Sequence, residues 1–331
     1  MKYYLKEFYV KEKHAGSKAR LDAEKIMLEE GYQPFFQNND SNPITLTEND
    51  VLILQFPLLW HSLKTLILTK LLRKRKFKAY LLIHDIESLR NRSIKSFQDV
   101  KYAILHFLQN KTVLERVDGI IAHNDKMKAV LVQLGIPEEK IISLEIFDYL
   151  IPDYEVKKTY EKRTVLLAGN FDIKKTKYAR QLPDNPEFSI YGINFEEENL
   201  PQNVHYNGAF SPEELPYYLE GGFGLVWDGD SPYTCSGMFG EYLKMNNPHK
   251  ASLYLATGFP IIVWRQSALA DFVSKNNCGI LVDSLFEIAE TLKSIQKKDY
   301  QELIENSKKI GEKIRQGYFL KTALEKCERI L

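Results

Sequence analysis

The chain has little cysteine, no excess of either charge and no long apolar run. Cys235, Cys278 and Cys327 are the three cysteines among 331 residues, and they form no CxxC or Cys/His cluster. That spacing argues against a disulfide framework or a zinc site and suits a reducing compartment. Lys and Arg total 45 against 44 Asp and Glu, a net charge of +1. General nucleic-acid binding calls for a strongly basic domain, so no nucleic-acid partner is expected. With 44% apolar and 27% charged residues, the chain has the balance of a globular protein, not of a disordered one. The most apolar stretch, Val51–Trp60, is too short to span a bilayer and is interrupted by Pro57. The first residues hold no apolar signal core. The expected location is therefore the cytoplasm, with no stable membrane insertion.

Two motif absences narrow the chemistry. No GxGxxG follows a strand that could open a nucleotide-binding half, and no Walker A sequence occurs. A nicotinamide dehydrogenase and a P-loop enzyme are both disfavoured.

What is present is a rhythm of short apolar strand, loop and helix. At roughly 150 residues per domain the length suggests two domains. In the first half, Tyr3–Val10, Val51–Phe56, Ala79–His84, Gly119–His123 and Ile141–Ile146 read as strands. Between them, Ala19–Glu30, His61–Arg75, Val100–Arg116 and Lys126–Leu134 read as helices, with Lys11–Lys18 as a polar loop. A charged stretch without apolar periodicity, Phe147–Arg163, reads as a linker. The rhythm then restarts at Thr164–Ala168 and runs to Gly279–Val282, followed by amphipathic helix over Leu285–Ile330. Such alternation predicts an α/β fold of two doubly wound, Rossmann-like domains, residues 1–155 and 156–331. Ligands of open parallel sheets bind beyond the strand carboxyl ends, so the site is expected in a central cleft faced by both domains.

The strongest segment is Asn246-Asn247-Pro-His-Lys250, running through Tyr254-Leu-Ala256 and Gly258 to Pro260. A helix starting near Pro248 offers free backbone N–H groups and the positive end of its dipole. Lys250 in its first turn opposes that dipole, and a pyrophosphate between ammonium and N–H groups would resolve the conflict. The plain alternative is a surface lysine at a helix start.

This segment resembles the asparagine-proline-x-lysine signature of nucleotide-sugar glycosyltransferases with the GT-B fold. Three other segments fit the same pattern: Arg163–Asn170, Asn203–Leu215 and Ser267–Val282. Within that fold, Leu225–Gly229, Thr234–Gly237 and Gly240–Lys250 resemble the third glycosyltransferase of serine-rich-repeat adhesin clusters. They are also similar to bacterial β-1,6-galactofuranosyltransferases. The resemblance implies a UDP-sugar donor as co-substrate, with no cofactor and no metal. The adhesin branch implies glucose transfer onto a GlcNAc-modified glycoprotein by a homotetramer. The C-terminal helices would then pack on the N-terminal domain or form the oligomer interface. The sequence departs from the wider retaining pattern: Leu253 stands where an acid often binds ribose, and the paired glutamates are absent.

Further site residues are expected around this core. Arg180 could clamp a diphosphate bidentately, whereas Lys174 and Lys175 read as a solvated loop. Phe210, Tyr217 and Tyr218 are candidates for stacking on uracil, with core packing as the alternative. Gly16, Ser17 and Lys18 are expected beside the nucleotide, bordering the acceptor. An inverting transfer needs a base for the acceptor hydroxyl, and His84, Asp85 and Glu87 follow a strand where one could sit. Asn124 or Asp125 could simply cap a helix, and the basic run Lys70–Lys78 reads as a solvated helix end. A UDP-sugar 2-epimerase and a non-catalytic partner subunit remain rival readings.

Overall fold

In Val51–Phe56 every residue is buried, the signature of a strand covered on both faces. The computed structural model describes residues 1–7, 15–35, 46–58, 72–73, 75–86, 89, 111–156 and 163–329. Among these, the strands form two six-stranded sheets, and every strand pairing is parallel. Strands β1 (Lys2–Leu5), β2 (Gln33–Phe35), β3 (Val51–Phe56), β4 (Lys78–Ile83), β5 (Gly119–Ala122) and β6 (Ile141–Ser143) make the first, in the order β2-β1-β3-β4-β5-β6. Strands β7 (Val165–Asn170), β8 (Phe188–Ile193), β9 (Val204–Tyr206), β10 (Phe223–Val226), β11 (Ile261–Trp264) and β12 (Gly279–Val282) make the second, in the order β12-β11-β10-β7-β8-β9.

The chain divides into two compact units. Unit 1 comprises Met1–Glu12, Arg20–Glu145 and Phe319–Leu331, and unit 2 comprises Lys13–Ala19 and Ile146–Tyr318. The last helix, Tyr318–Arg329, is apolar along one face and brings the chain back to unit 1. Tyr80 and Tyr32 of unit 1 reach it, the Tyr80 hydroxyl donating to the Cys327 carbonyl at 3.1 Å and the Tyr32 hydroxyl to Glu328 at 3.2 Å.

Several elements differ from the sequence reading. The first helix runs Ala15–Glu29, so Gly16, Ser17 and Lys18 lie in its opening turn and not in a loop. No residue type from Ala15 to Lys18 forbids helix, and Lys18 is buried by its side-chain contacts in unit 2. The Ser211 hydroxyl accepts from the Glu214 amide and the Glu214 carboxylate accepts from the Ser211 amide, a capping box over one turn, and the helix itself is the short Leu215–Tyr218. Asn124 caps the helix Asp125–Gln133, its side chain accepting from the Met127 amide at 2.9 Å. The expected helices over 61–75 and 100–116 lie largely outside the described residues. No helix among the described residues is long and apolar enough to cross a membrane.

All three cysteines are free and buried. Burial pushes each thiol up, to about 12 for Cys278 and Cys327 and further for Cys235. The thiolate is the reactive form. The native protein should therefore release no colour with a disulfide dye, and three equivalents should appear after unfolding in guanidinium. Fast labelling of a native thiol would contradict this packing.

Candidate functional site

The order of the second sheet reverses between β7 and β10, which is the topological switch point of an open parallel sheet. A cleft lies there. It is lined by Leu167 to Asn170 at the end of β7, by Leu225 of β10, and by Phe171, Lys175, Thr176, Tyr178 and Lys250. The crevice at this point follows from topology alone. The cations in it follow from two local structures.

Lys250 comes from the helix His249–Ala256, whose N-cap is Pro248. This helix sits close on the sheet because Gly224 of β10 lacks a side chain. A Cβ there would lie 2.1 Å from the Tyr254 ring. The Tyr254 hydroxyl accepts a hydrogen bond from the Ala168 amide at 2.6 Å, which ties the helix across β10 to β7. On the other side, Gly311 lets the helix Lys297–Arg315 approach until a Cβ would be 2.1 Å from the Leu255 carbonyl oxygen. The second half of the helix is thus held by packing on both sides.

Lys175 comes from the turn after β7. Asp172 caps the short helix Ile173–Thr176 by accepting from the Lys174 amide at 2.9 Å. The Lys175 carbonyl accepts from the Gly229 amide at 2.7 Å, fixing this turn to the loop after β10. At the start of that loop stands Asp228, 4% exposed. Lys250 Nζ donates to Asp228 Oδ1 at 2.9 Å and to the Trp227 carbonyl at 3.0 Å. Lys175 Nζ lies 3.6 Å from Asp228 Oδ2. Burial pulls the Lys250 ammonium below the usual lysine range and Lys175 adds to that, while Asp228 opposes both. Two cations thus share one buried carboxylate at the cleft wall, an arrangement that can receive an anion.

The beginning of the helix His249–Ala256 carries more polar groups. Asn247 is buried, and Asn246 Oδ1 is buried without a hydrogen-bond partner among the described residues. His249 stacks on Tyr149 with centroids 4.9 Å apart, and its Nε2 bonds the Asp148 carbonyl at 3.1 Å. A carbonyl only accepts, so that nitrogen carries the proton. Burial, with Lys18 adding to it, pushes His249 down to about 4, so the ring is neutral at physiological pH. Lys18 Nζ lies 4.8 Å from the Tyr149 ring centre and donates to the Leu150 carbonyl at 2.8 Å. Gly16, exposed, and Ser17, half-buried, directly precede Lys18 in the same turn.

The structure therefore gathers Asn246, Asn247 and Lys250 at one helix start and groups Lys18 with the His249 ring. Arg180 is placed differently. It pairs with the exposed Glu196, and Lys175 takes its expected place on the cleft wall. The reason is the Asp172 cap, which turns the chain so that Lys175 faces Asp228. Phe210 stacks on Tyr218 with centroids 4.1 Å apart and planes 16° apart, making an aromatic pair that is open to solvent on the Tyr218 side. Tyr217 instead packs edge-on against Tyr154 and donates to the Pro152 carbonyl at 3.3 Å, so it braces the segment after β6. His84 Nε2 bonds Gln55 Oε1 at 2.7 Å in unit 1, with Asp85 next to it. Glu87 lies outside the described residues.

Sequence reasoning missed Asp228 and Lys175 as members of the site. An acid directly after the apolar strand at Phe223–Val226 was the available signal for Asp228. Nothing in the sequence separates Lys175 from Lys174. Among the described residues no group of three or more His, Cys, Asp and Glu side chains is arranged to hold a metal ion.

Comparison with known proteins identifies the family. Residues 2–146 match the N-terminal domain of the glucosyltransferase 3-like family, and residues 165–327 match its C-terminal domain. Over 286 residues the chain is 37% identical to the β-1,6-galactofuranosyltransferase WbbI of Escherichia coli (strain K12), covering 85% of this chain and 79% of that one. It is 28% identical over 254 residues to glucosyltransferase 3 of Streptococcus gordonii, covering 75% and 70%. The solved structure of Anabaena Alr3699/HepE in complex with UDP and glucose shares the fold, with a TM-score of 0.58 at 12% identity over 99% of this chain and 98% of that one. Two parallel six-stranded sheets, a cationic switch-point cleft and both family matches lead to one conclusion: the chain is a GT-B glycosyltransferase and belongs to the glucosyltransferase 3-like family.

Proposed function

We propose that this glycosyltransferase moves a hexosyl residue from a UDP-sugar to a saccharide hydroxyl, with glucose as the sugar and a GlcNAc-bearing glycoprotein as the acceptor. The observation that carries the reading is the pair Lys175 and Lys250 on the wall of the switch-point cleft, beside the start of the donor helix. The diphosphate lies against both ammonium groups and the free N–H groups of that helix. Arg180 reaches it by exchanging its exposed partner Glu196 for a phosphate. Uracil stacks on the Phe210–Tyr218 pair, whose flat open face suits a base. Gly16, Ser17 and Lys18 complete the nucleotide site at the opening turn of the first helix.

The chemistry follows from these placements. The anomeric C–O bond to the diphosphate breaks, and its electron pair stays on the phosphate oxygen. Lys175, Lys250 and the helix dipole stabilise that charge as it develops, without help from a metal. The acceptor hydroxyl attacks the anomeric carbon and passes its proton to a base drawn from His84, Asp85 and Glu87. The family resemblance supports a cytoplasmic homotetramer, which light scattering of the purified chain would test.

A second reading has its own support. The 37% identity to WbbI favours galactofuranose as the transferred sugar. A screen of UDP, UDP-glucose, UDP-GlcNAc and UDP-galactofuranose for protection against thermal unfolding separates the donors. It is followed by transfer onto a GlcNAc-bearing serine-rich peptide. Protection is expected from UDP and from one UDP-hexose, with a mass gain of one hexose on the peptide. Conversion of a UDP-sugar into its isomer without acceptor would make the protein an epimerase. No protection by any uridine nucleotide would end the UDP-sugar reading.

A further inference from the structure

Asp228 stands behind the two cations of the cleft without lining it. Its carboxylate is 4% exposed, with one oxygen 2.9 Å from Lys250 Nζ and the other 3.6 Å from Lys175 Nζ. A site built only to grip a diphosphate would leave both ammonium charges to the ligand. Here one buried anion already neutralises half of their charge. A structural explanation covers part of this, since a lysine as buried as Lys250 gains from a counter-ion. It does not explain why the carboxylate reaches a second lysine that is 37% exposed.

The reaction itself gives that arrangement a use. In the intact nucleotide sugar, the terminal phosphate is blocked by the sugar. When the anomeric C–O bond breaks, the electron pair remains on that phosphate oxygen, and the proton lost by the acceptor goes to the base. Above the second ionisation of a phosphate, at roughly pH 6, the leaving UDP carries one more negative charge than the donor. Two uncompensated cations would hold the product more tightly than the substrate. We infer that Asp228 is a positioning residue for product release, which lowers the net charge around Lys175 and Lys250 so that UDP is not retained over the UDP-sugar. This rests on the placement of the diphosphate proposed above.

The test compares UDP with UDP-glucose as probes, by calorimetric titration above about pH 7.5, where the extra phosphate charge is complete. Removing the Asp228 charge at constant shape, as Asp228→Asn, should tighten UDP by roughly tenfold and UDP-glucose by clearly less, because the Coulomb difference acts on the added charge. In steady state the turnover and the KM for the donor should fall together as UDP release slows, while kcat/KM changes little and UDP inhibition strengthens. The double variant Asp228→Asn with Lys175→Gln restores the net charge and should return the ratio of UDP to UDP-glucose affinity to near the wild-type value. Asp228→Ser removes the same charge with a smaller side chain and should shift the ratio in the same direction, which covers the case of a poorly folded Asn variant. An unchanged ratio, or weaker UDP binding in both single variants, would overturn the inference and leave Asp228 as a partner that keeps Lys250 charged. Wild-type protein that binds neither probe would instead overturn the UDP reading on which the inference rests.

Discussion

Lys250→Met is expected to lower turnover by about 10²–10³-fold and to remove measurable UDP binding in a titration that reads wild-type affinity easily. Preorganised charge aimed at a developing anion is worth that much when it acts in a dry site. Lys250 meets the requirement, since its side chain is only 13% exposed and its Nζ is fixed by Asp228 and the Trp227 carbonyl. The variant leaves Lys175 beside Asp228, so the buried carboxylate keeps a counter-ion and the fold should hold. A thermal unfolding midpoint close to wild type would show that the loss belongs to binding. Lys250→Arg should rescue little. The planar guanidinium cannot place a compact charge where the ammonium sits between two oxygens. UDP affinity unchanged in Lys250→Met would refute the donor-site assignment.

The second large effect falls on stability in unit 1. Arg20 and Glu7 form a buried pair at 2.7 Å, with side chains 5% and 1% exposed. Arg20 also donates to the carbonyls of Gln55, at 3.4 Å, and Pro57, at 2.5 Å, so it joins the first helix to the end of β3. Arg20→Met leaves the Glu7 carboxylate buried without its arginine, which should cost about 3–5 kcal/mol. The double variant with Glu7→Met should recover most of that, because it removes both charges at once. Denaturant unfolding followed by circular dichroism checks both, with calorimetry to show whether the units melt separately. A loss under about 1 kcal/mol in the single variant would mean that water reaches Glu7 and that the pair is a surface one in solution.

Much of the fold was legible because apolar strands buried on both faces advertise themselves. Val51–Phe56 and Gly119–Ala122 are wholly buried, and the sequence reads both as strand. Gln33–Phe35 was not, since three residues with a central proline carry no apolar run, and the segment pairs only with β1 at the sheet edge. The start of the first helix was also missed. Ala15 to Lys18 look like loop by composition, and what buries Lys18 is Leu150 and Tyr149, more than 130 positions away.

The site was legible where chemistry and local structure coincide, at Asn246 to Lys250, because a lysine in the first turn of a helix is a local anomaly. It was not legible where position depends on a turn elsewhere. Lys175 and Arg180 lie on the same basic stretch, and the Asp172 cap and the Gly229 amide decide which of them faces the cleft. Asp228 is a different case. Its role depends on two lysines, 53 residues before it and 22 after, that only the sheet order brings together.

In the proposed site the diphosphate of a UDP-sugar is held at the β7–β10 switch point by Lys175 and Lys250. A crystal structure of the protein grown with UDP tests it most directly. Phosphate oxygens are expected within hydrogen-bond reach of Lys250 Nζ and of the first free amides of the helix His249–Ala256, with uracil against the Phe210–Tyr218 pair. UDP bound elsewhere, with Lys250 still engaged only by Asp228 and Trp227, would contradict it.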